Sequence, residues 1–491
     1  MNRRSFSSLV AGGIASAAVG GLGQPLFATE AGHYQPTWDS LETHSVPQWF
    51  QDAKLGIFIH WGLYSVPAWA PLTGELLKID SEMAFISNPY AEWYLNCLRI
   101  VGSPTYKHHI ATYGKDFNYY RFIPMFNKAH ESWDPGSWAS LFKKTGARYV
   151  VLTTKHHEGF RLWPSSVPDP HANGRQLSSK RDLVGELTSA VRAAGMKMGL
   201  YYSGGLDWTF TSKPIRNRQE LMERVPQSIE YARYADAQWR ELIMRYKPAV
   251  LWNDISYPKL GQIPKIFALY YNTVPDGAID DRFGVPFSDY TTPEYSNYRK
   301  ITWKKWESCR GLGFSFGYNQ MEGPDQVIPA DQLIALLVDI VSKNGNLLLD
   351  VGPEADGSIS KIQLDRLHKL GAWLDVNGEA LFDSRPWVRP SAMTPDGYDI
   401  RFTSKGGSLY GIFINPIGSN TLRVPSVRAA EGTTAQILGG SARASVTQSG
   451  NDLVITSPEP LPGPYAVTVR LHPAPKSVQG LAQTGEPSSL L

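Results

Sequence analysis

The chain has 491 residues, and its 48 Lys and Arg against 45 Asp and Glu leave a formal net charge of only +3. Because positive and negative charges nearly balance, a nucleic-acid-binding protein held by a basic face is not expected. The two cysteines, Cys97 and Cys309, exclude a disulfide framework and a cysteine-rich zinc site. The length predicts a large domain with a smaller one, or two to four domains. An aromatic content of 12% indicates a large core and leaves room for an aromatic wall around a ligand.

The amino terminus has the pattern of an export signal. Arg3 and Arg4 precede a weakly apolar stretch that carries no charge before Glu30, and this order is typical of a secretory leader of the twin-arginine type. We expect residues 1–28 to be removed near Ala28 and the mature protein to be periplasmic or secreted. An uncleaved membrane anchor is the alternative. No later segment reaches 18 uninterrupted apolar residues, so the mature form is expected not to bind membranes.

Helical and strand-like segments alternate over residues 33–385. Short apolar runs predict strands at 55–59, 149–153, 197–202, 249–252 and 346–351. Amphipathic stretches ending at Gly or Pro predict helices at 135–145, 183–194, 229–246 and 331–343. Helix, stop and apolar strand in repetition are typical of βα units on a parallel sheet, and so many of them favour a (β/α)8 barrel of the TIM type. The number of strands between 277 and 316 stays open.

The pattern changes after residue 385. Helical spacing disappears, and alternating runs such as 399–403 and 408–414 are separated by Gly, Asn, Pro and Ser. Short strands at this spacing predict a β-sandwich over residues 386–475. The polar residues 476–491 are expected to form a flexible tail.

Polar and aromatic side chains collect where the predicted barrel strands end. Reactive side chains of βα barrels lie at these carboxyl ends. In chain order these positions hold His60 and Trp61; His156, His157 and Glu158; Tyr201, Tyr202 and Ser203; Trp252, Asn253 and Asp254; and Asp280, Asp281 and Arg282. Hydrogen-bonding groups around an aromatic wall suit a sugar, which offers hydroxyl groups and an apolar ring face.

Other kinds of site fit the pattern less well. Adjacent residues of a strand point to opposite faces, so either His156 or His157 would face away from a metal ion. Zinc hydrolases also usually place their histidines at helical spacing, so we expect no metal and no other cofactor. A serine hydrolase would need a G-x-S-x-G turn after a strand, which the sequence lacks. For Asp254 the structural alternative is a helix N-cap.

Glycoside cleavage needs one ionised carboxyl group and one protonated carboxyl group. Asp254, at the end of a buried strand, suits the ionised role. The residues alone do not decide the acid, whose candidates are Asp289, Glu294, Glu307 and Glu322. Glu294 lies in a loop-like stretch that suits a group placed over the mouth of a pocket.

Six segments carry a resemblance to a known family: AKLGIFIHWGLYS (53–65), YAEWY (90–94), TKHHEGF (154–160), GLYYS (199–203), LWND (251–254) and SKNGNLLL (342–349). In this order and spacing the chain resembles the α-L-fucosidases of glycoside hydrolase family twenty-nine, over nearly all of the mature chain. It is most similar to the bacterial branch with broad activity on aryl fucosides.

The resemblance implies a retaining exo-glycosidase that hydrolyses terminal α-L-fucosyl linkages of fucosylated glycans through a covalent fucosyl-enzyme intermediate. It implies Asp254 as nucleophile and Glu294, from a Thr-x-Glu-Tyr segment, as acid/base. Its sugar-binding residues correspond to His60, Glu92, His156, His157, Tyr201, Trp252 and Arg282. Phe58 and Phe316 match the apolar positions that face the C6 methyl group of fucose.

The chain departs from the family at two places. Glu158 stands where the family often has Asp, and Ala84 and Phe85 stand where an aromatic residue often lines the pocket. Two other functions remain open: a fucose-binding, lectin-like module, and a glycosidase of the same mechanism acting on another 6-deoxy or galacto-configured sugar. The sequence does not decide the linkage. It is compatible with a homo-oligomer.

Overall fold

The structure is a computed structural model that describes residues 33–80, 83–415 and 420–478. The predicted leader 1–28 and most of the predicted tail lie outside these residues. Within them, no helix has the length and apolar character needed to span a bilayer.

A parallel sheet forms the first domain. Its strands in chain order are β1 Leu55–Ile59, β2 Tyr149–Lys155, β3 Lys197–Tyr202, β4 Val250–Asn253, β5 Ala278–Ile279, β6 Trp306–Gly311 and β7 Gly345–Val351. Their spatial order is β5-β4-β3-β2-β1-β7-β6, and every neighbouring pair is parallel. The predicted strands therefore exist, with ends that differ by at most two residues.

The segment 289–295 occupies the gap between β5 and β6. The Asp289 N–H donates to the Ile279 carbonyl at 2.9 Å. On the other side, the Cys309 N–H donates to the Pro293 carbonyl at 3.1 Å. The sheet is thereby curled into a barrel whose eighth position is an irregular extended segment. This resolves the strand count that the sequence left open.

Helices surround the barrel. Within the described residues the α-helices are α1 Trp38–Leu41, α2 Gln48–Ala53, α3 Met83–Ile86, α4 Tyr94–Leu98, α5 Pro104–Tyr113, α6 Phe122–Ala129, α7 Pro135–Lys144, α8 Leu183–Ala193, α9 Arg218–Glu223, α10 Ile229–Tyr246, α11 Ile263–Thr273, α12 Ala330–Ser342 and α13 Lys361–Asn377. Short 3₁₀ turns are Leu63–Ser65, Leu76–Lys78, Ala91–Trp93, Tyr119–Arg121, His130–Ser132 and Gly378–Ala380.

Local capping explains where the predicted helices begin. The Asp134 carboxylate accepts hydrogen bonds from the N–H groups of Gly136 and Ser137, and Pro135 opens α7. Ser228 caps α10 in the same way, by accepting from the Tyr231 N–H.

The barrel buries both faces of its sheet, which is why a strand such as β1 is apolar at consecutive positions. In β1, Phe58 packs inside the barrel with Tyr201 and Trp252. Ile57 and Ile59 point outward into the layer of helices. The inward positions lead directly to the side chains at the carboxyl end, so strand alternation sets which residues reach the site.

The second domain is a separate antiparallel sheet. Its strands are β8 Arg385–Met393, β9 Asp399–Lys405, β10 Ser408–Phe413, β11 Thr421–Val424, β13 Thr434–Ile437, β14 Arg443–Ser449, β15 Asp452–Thr456 and β16 Val467–His472. β12 Val427–Arg428 pairs with β17 Lys476–Ser477, two residues beyond the end that the sequence predicts. The predicted barrel followed by a β-sandwich is confirmed.

Direct contacts join the two domains. The Trp373 indole N–H donates to the Ala466 carbonyl at 2.8 Å. Arg401 Nε donates to Asp339 Oδ1 at 2.6 Å. The sandwich therefore packs against α12 and α13, on the outside of the barrel.

Candidate active site

Two acidic side chains meet at one guanidinium at the carboxyl end of the barrel. Asp254 directly follows β4, and its Oδ1 accepts a hydrogen bond from Arg282 Nη1 at 3.0 Å. Glu294 lies in the segment 289–295, and its Oε2 accepts from Arg282 Nη2 at 3.0 Å. Because both nitrogens belong to one planar fork, the two carboxyl groups are held side by side.

The Arg282 side chain is itself held firmly. Its Nε donates to Thr292 Oγ1 at 3.0 Å, and its Nη2 also reaches the Thr292 carbonyl at 3.2 Å. The guanidinium lies 4.5 Å from the centre of the Trp252 ring. Burial disfavours its charge, but Cys309 and the carboxylates around it raise the pKa of Arg282 well above the ordinary value. The group therefore remains a cation while the carboxyl groups change protonation.

Phenol groups hold the remaining carboxylate oxygens. Tyr201 donates to Asp254 Oδ2 at 2.8 Å, and Tyr90 donates to Glu294 Oε1 at 2.8 Å. Burial raises the pKa of both tyrosines well above the ordinary value, so both stay protonated donors. The Asp254 side chain is 11% exposed and that of Glu294 is 25% exposed. Asp254 thus lies at the bottom of the site and Glu294 nearer to its mouth.

Three histidines, His60, His156 and His157, also line the site. β2 ends at Lys155, so strand alternation does not extend to His156 and His157, and their ring centres lie 3.9 Å apart. The expectation that one of the pair faces away is therefore wrong. His60 contacts Asp350 Oδ1 through Nδ1 at 2.6 Å. Burial lowers the pKa of His60 well below the ordinary value, and the neighbouring His156 adds to this.

Aromatic rings form a continuous wall beside these polar groups. The Phe58 ring centre lies 4.9 Å from that of Trp252, which stacks on Tyr201 at 5.4 Å and 27°. Phe316 closes the wall, with its ring centre 4.9 Å from His60 and 6.4 Å from Phe58. The site therefore combines an apolar surface with hydrogen-bonding groups, as the sequence predicts.

Glu92 occupies a buried position next to Phe316. Its Oε2 accepts from the Gly317 N–H at 2.8 Å, and Ser315 Oγ lies 3.3 Å from the same oxygen. Burial raises the pKa of Glu92 to about 7, against the opposite effect of His156. Glu92 can therefore change between acceptor and donor near neutral pH. The structure brings every predicted site residue into this one cluster.

Two of the other candidate acids face elsewhere. Asp289 accepts from the Tyr271 hydroxyl at 2.8 Å, within the barrel wall. Glu322 accepts from the N–H groups of Phe314 and Ser315, both at 2.8 Å, and so braces a loop.

Several residues support the site in ways that no motif marks in the sequence. Glu307 points into the barrel, where it accepts from the Tyr149 hydroxyl and, at 3.1 Å, from the Trp252 indole N–H. Ser203 contacts a histidine of the site and Tyr90 contacts the candidate acid. The only signal in the sequence is position: Ser203 follows a strand end, and Tyr90 opens the YAEWY segment.

The departures from the family pattern lie beside the histidines. Glu158 Oε2 is 3.5 Å from His156 Nδ1. Phe85, in α3, packs against Trp93 at 5.9 Å between ring centres, and Trp93 packs against His157 at 5.4 Å. Phe85 therefore supports the site through a second ring.

The arrangement defines a class of protein. The site holds a pair of carboxyl groups, one deep and one near the mouth, and glycoside cleavage is a reaction that requires two such groups. Among residues 33–80, 83–415 and 420–478, no three His, Cys, Asp or Glu side chains are grouped as metal ligands. A TIM-type barrel with this pair at its carboxyl end is the design of a glycoside hydrolase.

Comparisons with known proteins specify the family. The family model described as Alpha-L-fucosidase matches residues 25–379. An alpha-L-fucosidase of Dictyostelium discoideum is 33% identical over 468 residues, covering 89% of this chain and 95% of the relative. Human tissue alpha-L-fucosidase is 32% identical over 458 residues, covering 89% and 91%. A Thermotoga maritima alpha-fucosidase, solved with a mechanism based inhibitor, is 44% identical with a TM-score of 0.81, covering 89% and 99%. The chain belongs to the alpha-L-fucosidase family of glycoside hydrolases.

Proposed function

We propose that this α-L-fucosidase is a retaining exo-enzyme in which Asp254 is the nucleophile and Glu294 the acid/base. The observation that carries the proposal is the shared guanidinium: Arg282 donates to both carboxyl groups at 3.0 Å. Retention requires carboxyl groups about 5–5.5 Å apart, whereas inversion needs room for a water molecule between them. One planar fork that holds both groups favours the shorter separation.

The roles follow from position and contacts. Asp254 is deep, beneath the sugar, and attacks the anomeric carbon while Glu294, nearer to the mouth, protonates the departing oxygen. In the second step Glu294 takes a proton from water while the water oxygen bonds to the anomeric carbon; the bond from that carbon to Asp254 breaks, which releases fucose and restores both carboxyl groups. Arg282 stays cationic throughout, so it stabilises whichever carboxyl group is ionised at each step.

The aromatic wall explains a preference for fucose as the sugar. Fucose carries a methyl group at C6, and Phe58 with Phe316 offers it an apolar surface. A pocket of this kind discriminates against L-galactose, which differs from L-fucose by a C6 hydroxyl, by only about 1–3 kcal/mol. A Thermotoga maritima alpha-fucosidase that is 44% identical was solved in complex with fucose, which supports a terminal fucosyl group of a glycan as substrate.

Chemical rescue tests the nucleophile. With 4-nitrophenyl α-L-fucoside, Asp254→Gly should lose at least about 10³-fold in kcat, and azide should restore turnover by giving a fucosyl azide of inverted configuration. Unchanged turnover in the glycine variant would remove Asp254 from the role. Asp339→Asn, on α12 outside the barrel, is the control for the loss of an acidic side chain.

Leaving-group dependence tests the acid. Glu294→Ala should slow fucosides with poor leaving groups far more than those with good ones, because a good leaving group needs no proton. Equal loss on both kinds of substrate would assign the acid to another residue.

Export is proposed from the sequence alone. The Arg3-Arg4 pair and the uncharged stretch after it support a leader that is removed near Ala28. Amino-terminal sequencing of protein recovered from the periplasm or medium should begin near residue 29. An intact Arg3-Arg4 end on that protein would contradict the proposal.

A further inference from the structure

His157 is held in place on several sides. The Trp208 N–H donates to its carbonyl at 2.7 Å. The rings of Trp208 and Trp93 pack against the imidazole, with ring centres at 5.3 and 5.4 Å. Its side chain is 1% exposed. The imidazole therefore cannot turn over to exchange its two nitrogens, and its surroundings decide which nitrogen carries the proton.

Ser203 decides this. His157 Nδ1 lies 2.6 Å from Ser203 Oγ, and Ser203 Oγ donates to the Leu206 carbonyl at 2.7 Å. A carbonyl oxygen only accepts, and a hydroxyl has a single hydrogen to give. The Ser203 hydrogen is thus committed to Leu206, so Ser203 accepts from His157 and the proton of the ring resides on Nδ1.

The other nitrogen faces the nucleophile. His157 Nε2 lies 3.8 Å from Asp254 Oδ2, too far for a direct hydrogen bond. Burial lowers the pKa of His157 well below the ordinary value, and His156, Lys155 and His60 add to this effect. With its single proton on Nδ1, the neutral ring presents a lone pair at Nε2 toward another acceptor.

We propose that Ser203 is a positioning residue that fixes His157 as a hydrogen-bond acceptor for a substrate hydroxyl. The hydroxyl is the one on the carbon next to the anomeric carbon, because Asp254 reaches the anomeric carbon itself. The hydrogen of this hydroxyl would lie between His157 Nε2 and Asp254 Oδ2, two acceptor atoms that face each other with no hydrogen between them. The inference rests on the proposed function, in which Asp254 is the nucleophile.

Loss of Ser203 has a specific consequence. Without an acceptor for Nδ1–H, the proton moves to Nε2, where it points at Asp254. The ring then has no lone pair at Nε2 with which to accept a hydrogen bond from the substrate hydroxyl. A substrate that lacks the 2-hydroxyl has no such hydrogen bond to lose.

Kinetics on two substrates test this. The substrates are 4-nitrophenyl α-L-fucoside and its 2-deoxy analogue. The measured quantity is kcat/KM for the fucoside divided by kcat/KM for the 2-deoxy analogue. Dividing the ratio of a variant by that of the wild type cancels the different intrinsic reactivities of the substrates. For Ser203→Ala this ratio should fall about 10-fold to 100-fold, the effect of one buried hydrogen bond lost in the transition state.

The chain offers a matched control. Ser384 is also fully buried, and its hydroxyl donates to a carbonyl three residues away, that of Leu381, at 2.6 Å. It directly precedes β8, away from the carboxyl end of the barrel, so Ser384→Ala removes a buried hydroxyl without touching the site and should leave the ratio unchanged. Equal losses on both substrates in Ser203→Ala would show a merely structural role and overturn the proposal. Ser203→Thr, which keeps the hydroxyl, should keep the wild-type ratio. A ratio as low as that of Ser203→Ala in the folded threonine variant would also overturn the proposal.

Nitrogen-15 NMR of the histidine-labelled wild type tests the tautomer without any need for turnover. The His157 signals, identified by their absence in His157→Asn, should be those of a neutral ring protonated at Nδ1. A proton at Nε2, or a doubly protonated ring, at neutral pH would overturn the inference. Unchanged turnover of Asp254→Gly in the rescue experiment would instead refute the proposed function, and the tautomer assignment of His157 would not be affected.

Discussion

Arg282→Lys is the substitution that best tests the arrangement of the site. It keeps the positive charge but replaces a planar fork by a single ammonium group. Arginine donates to Asp254 and Glu294 at 3.0 Å each, through different nitrogens. A lysine can reach one of these carboxyl groups and loses at least one hydrogen bond to a charged group.

The expected loss can be worked out from that one bond. A hydrogen bond to a charged group contributes about 1.5–3 kcal/mol. Since about 1.4 kcal/mol is a factor of ten in rate, kcat/KM should fall about 10-fold to 150-fold. The drop should grow for poor leaving groups, because Glu294 loses its fixed position as acid.

The assay is initial rates on aryl fucosides of graded leaving-group pKa, with thermal melting as a test of folding. Arg245→Lys is the control: this arginine pairs with Asp182 at 2.6 Å and lies over the Tyr246 ring, outside the site. It should retain wild-type rates. If Arg282→Lys were folded and within about threefold of the wild type, the shared guanidinium would not organise the reaction.

Three further predictions concern supporting residues. Burial raises the pKa of Glu307 to about 7 from 4.5, so it stabilises the fold below pH 4.5 and loses this contribution, on the order of 3 kcal/mol, as pH rises through 7. Glu307→Gln should therefore reduce the difference in melting temperature between pH 5 and pH 8, and an unchanged difference would contradict the assignment. Tyr90→Phe removes the 2.8 Å hydrogen bond to Glu294 and should lower kcat about 5-fold to 50-fold for poor leaving groups and less for good ones; uniform loss would be the contrary result. In Gly317→Ala the new Cβ would lie 2.9 Å from the Tyr64 ring, so KM should rise about tenfold, while Gly323→Ala, whose nearest neighbour is at 3.6 Å, should be neutral.

The sequence by itself determined five of the seven regular barrel strands, β1 to β4 and β7, and the helices α7, α8, α10 and α12. Caps such as Asp134 and Ser228 act within three residues, and apolar runs bounded by Gly or Pro need no distant partner to be recognised. Helix and strand ends were therefore predicted to within two residues. Because reactive groups of a βα barrel lie at strand ends, Asp254 and the histidines could also be found in this way.

The position of the short segment 289–295 in the barrel could not be predicted from the sequence. It has no regular strand pairing of its own, and its place depends on hydrogen bonds to β5 and to β6 that form only when the barrel closes. The sequence could therefore not count the eighth barrel position or decide how Glu294 is presented.

Only the tertiary structure decided which acidic residue lies beside Asp254. Asp289, Glu307 and Glu294 look alike in the sequence, but their partners are distant: the Tyr90 hydroxyl that holds Glu294 is 204 residues away. Ionisable groups take their functions from burial and from the donors around them, and these are set by packing between distant segments. The same reason places the proton of His157, because its partner Ser203 comes from the next strand of the barrel, 46 residues along the chain.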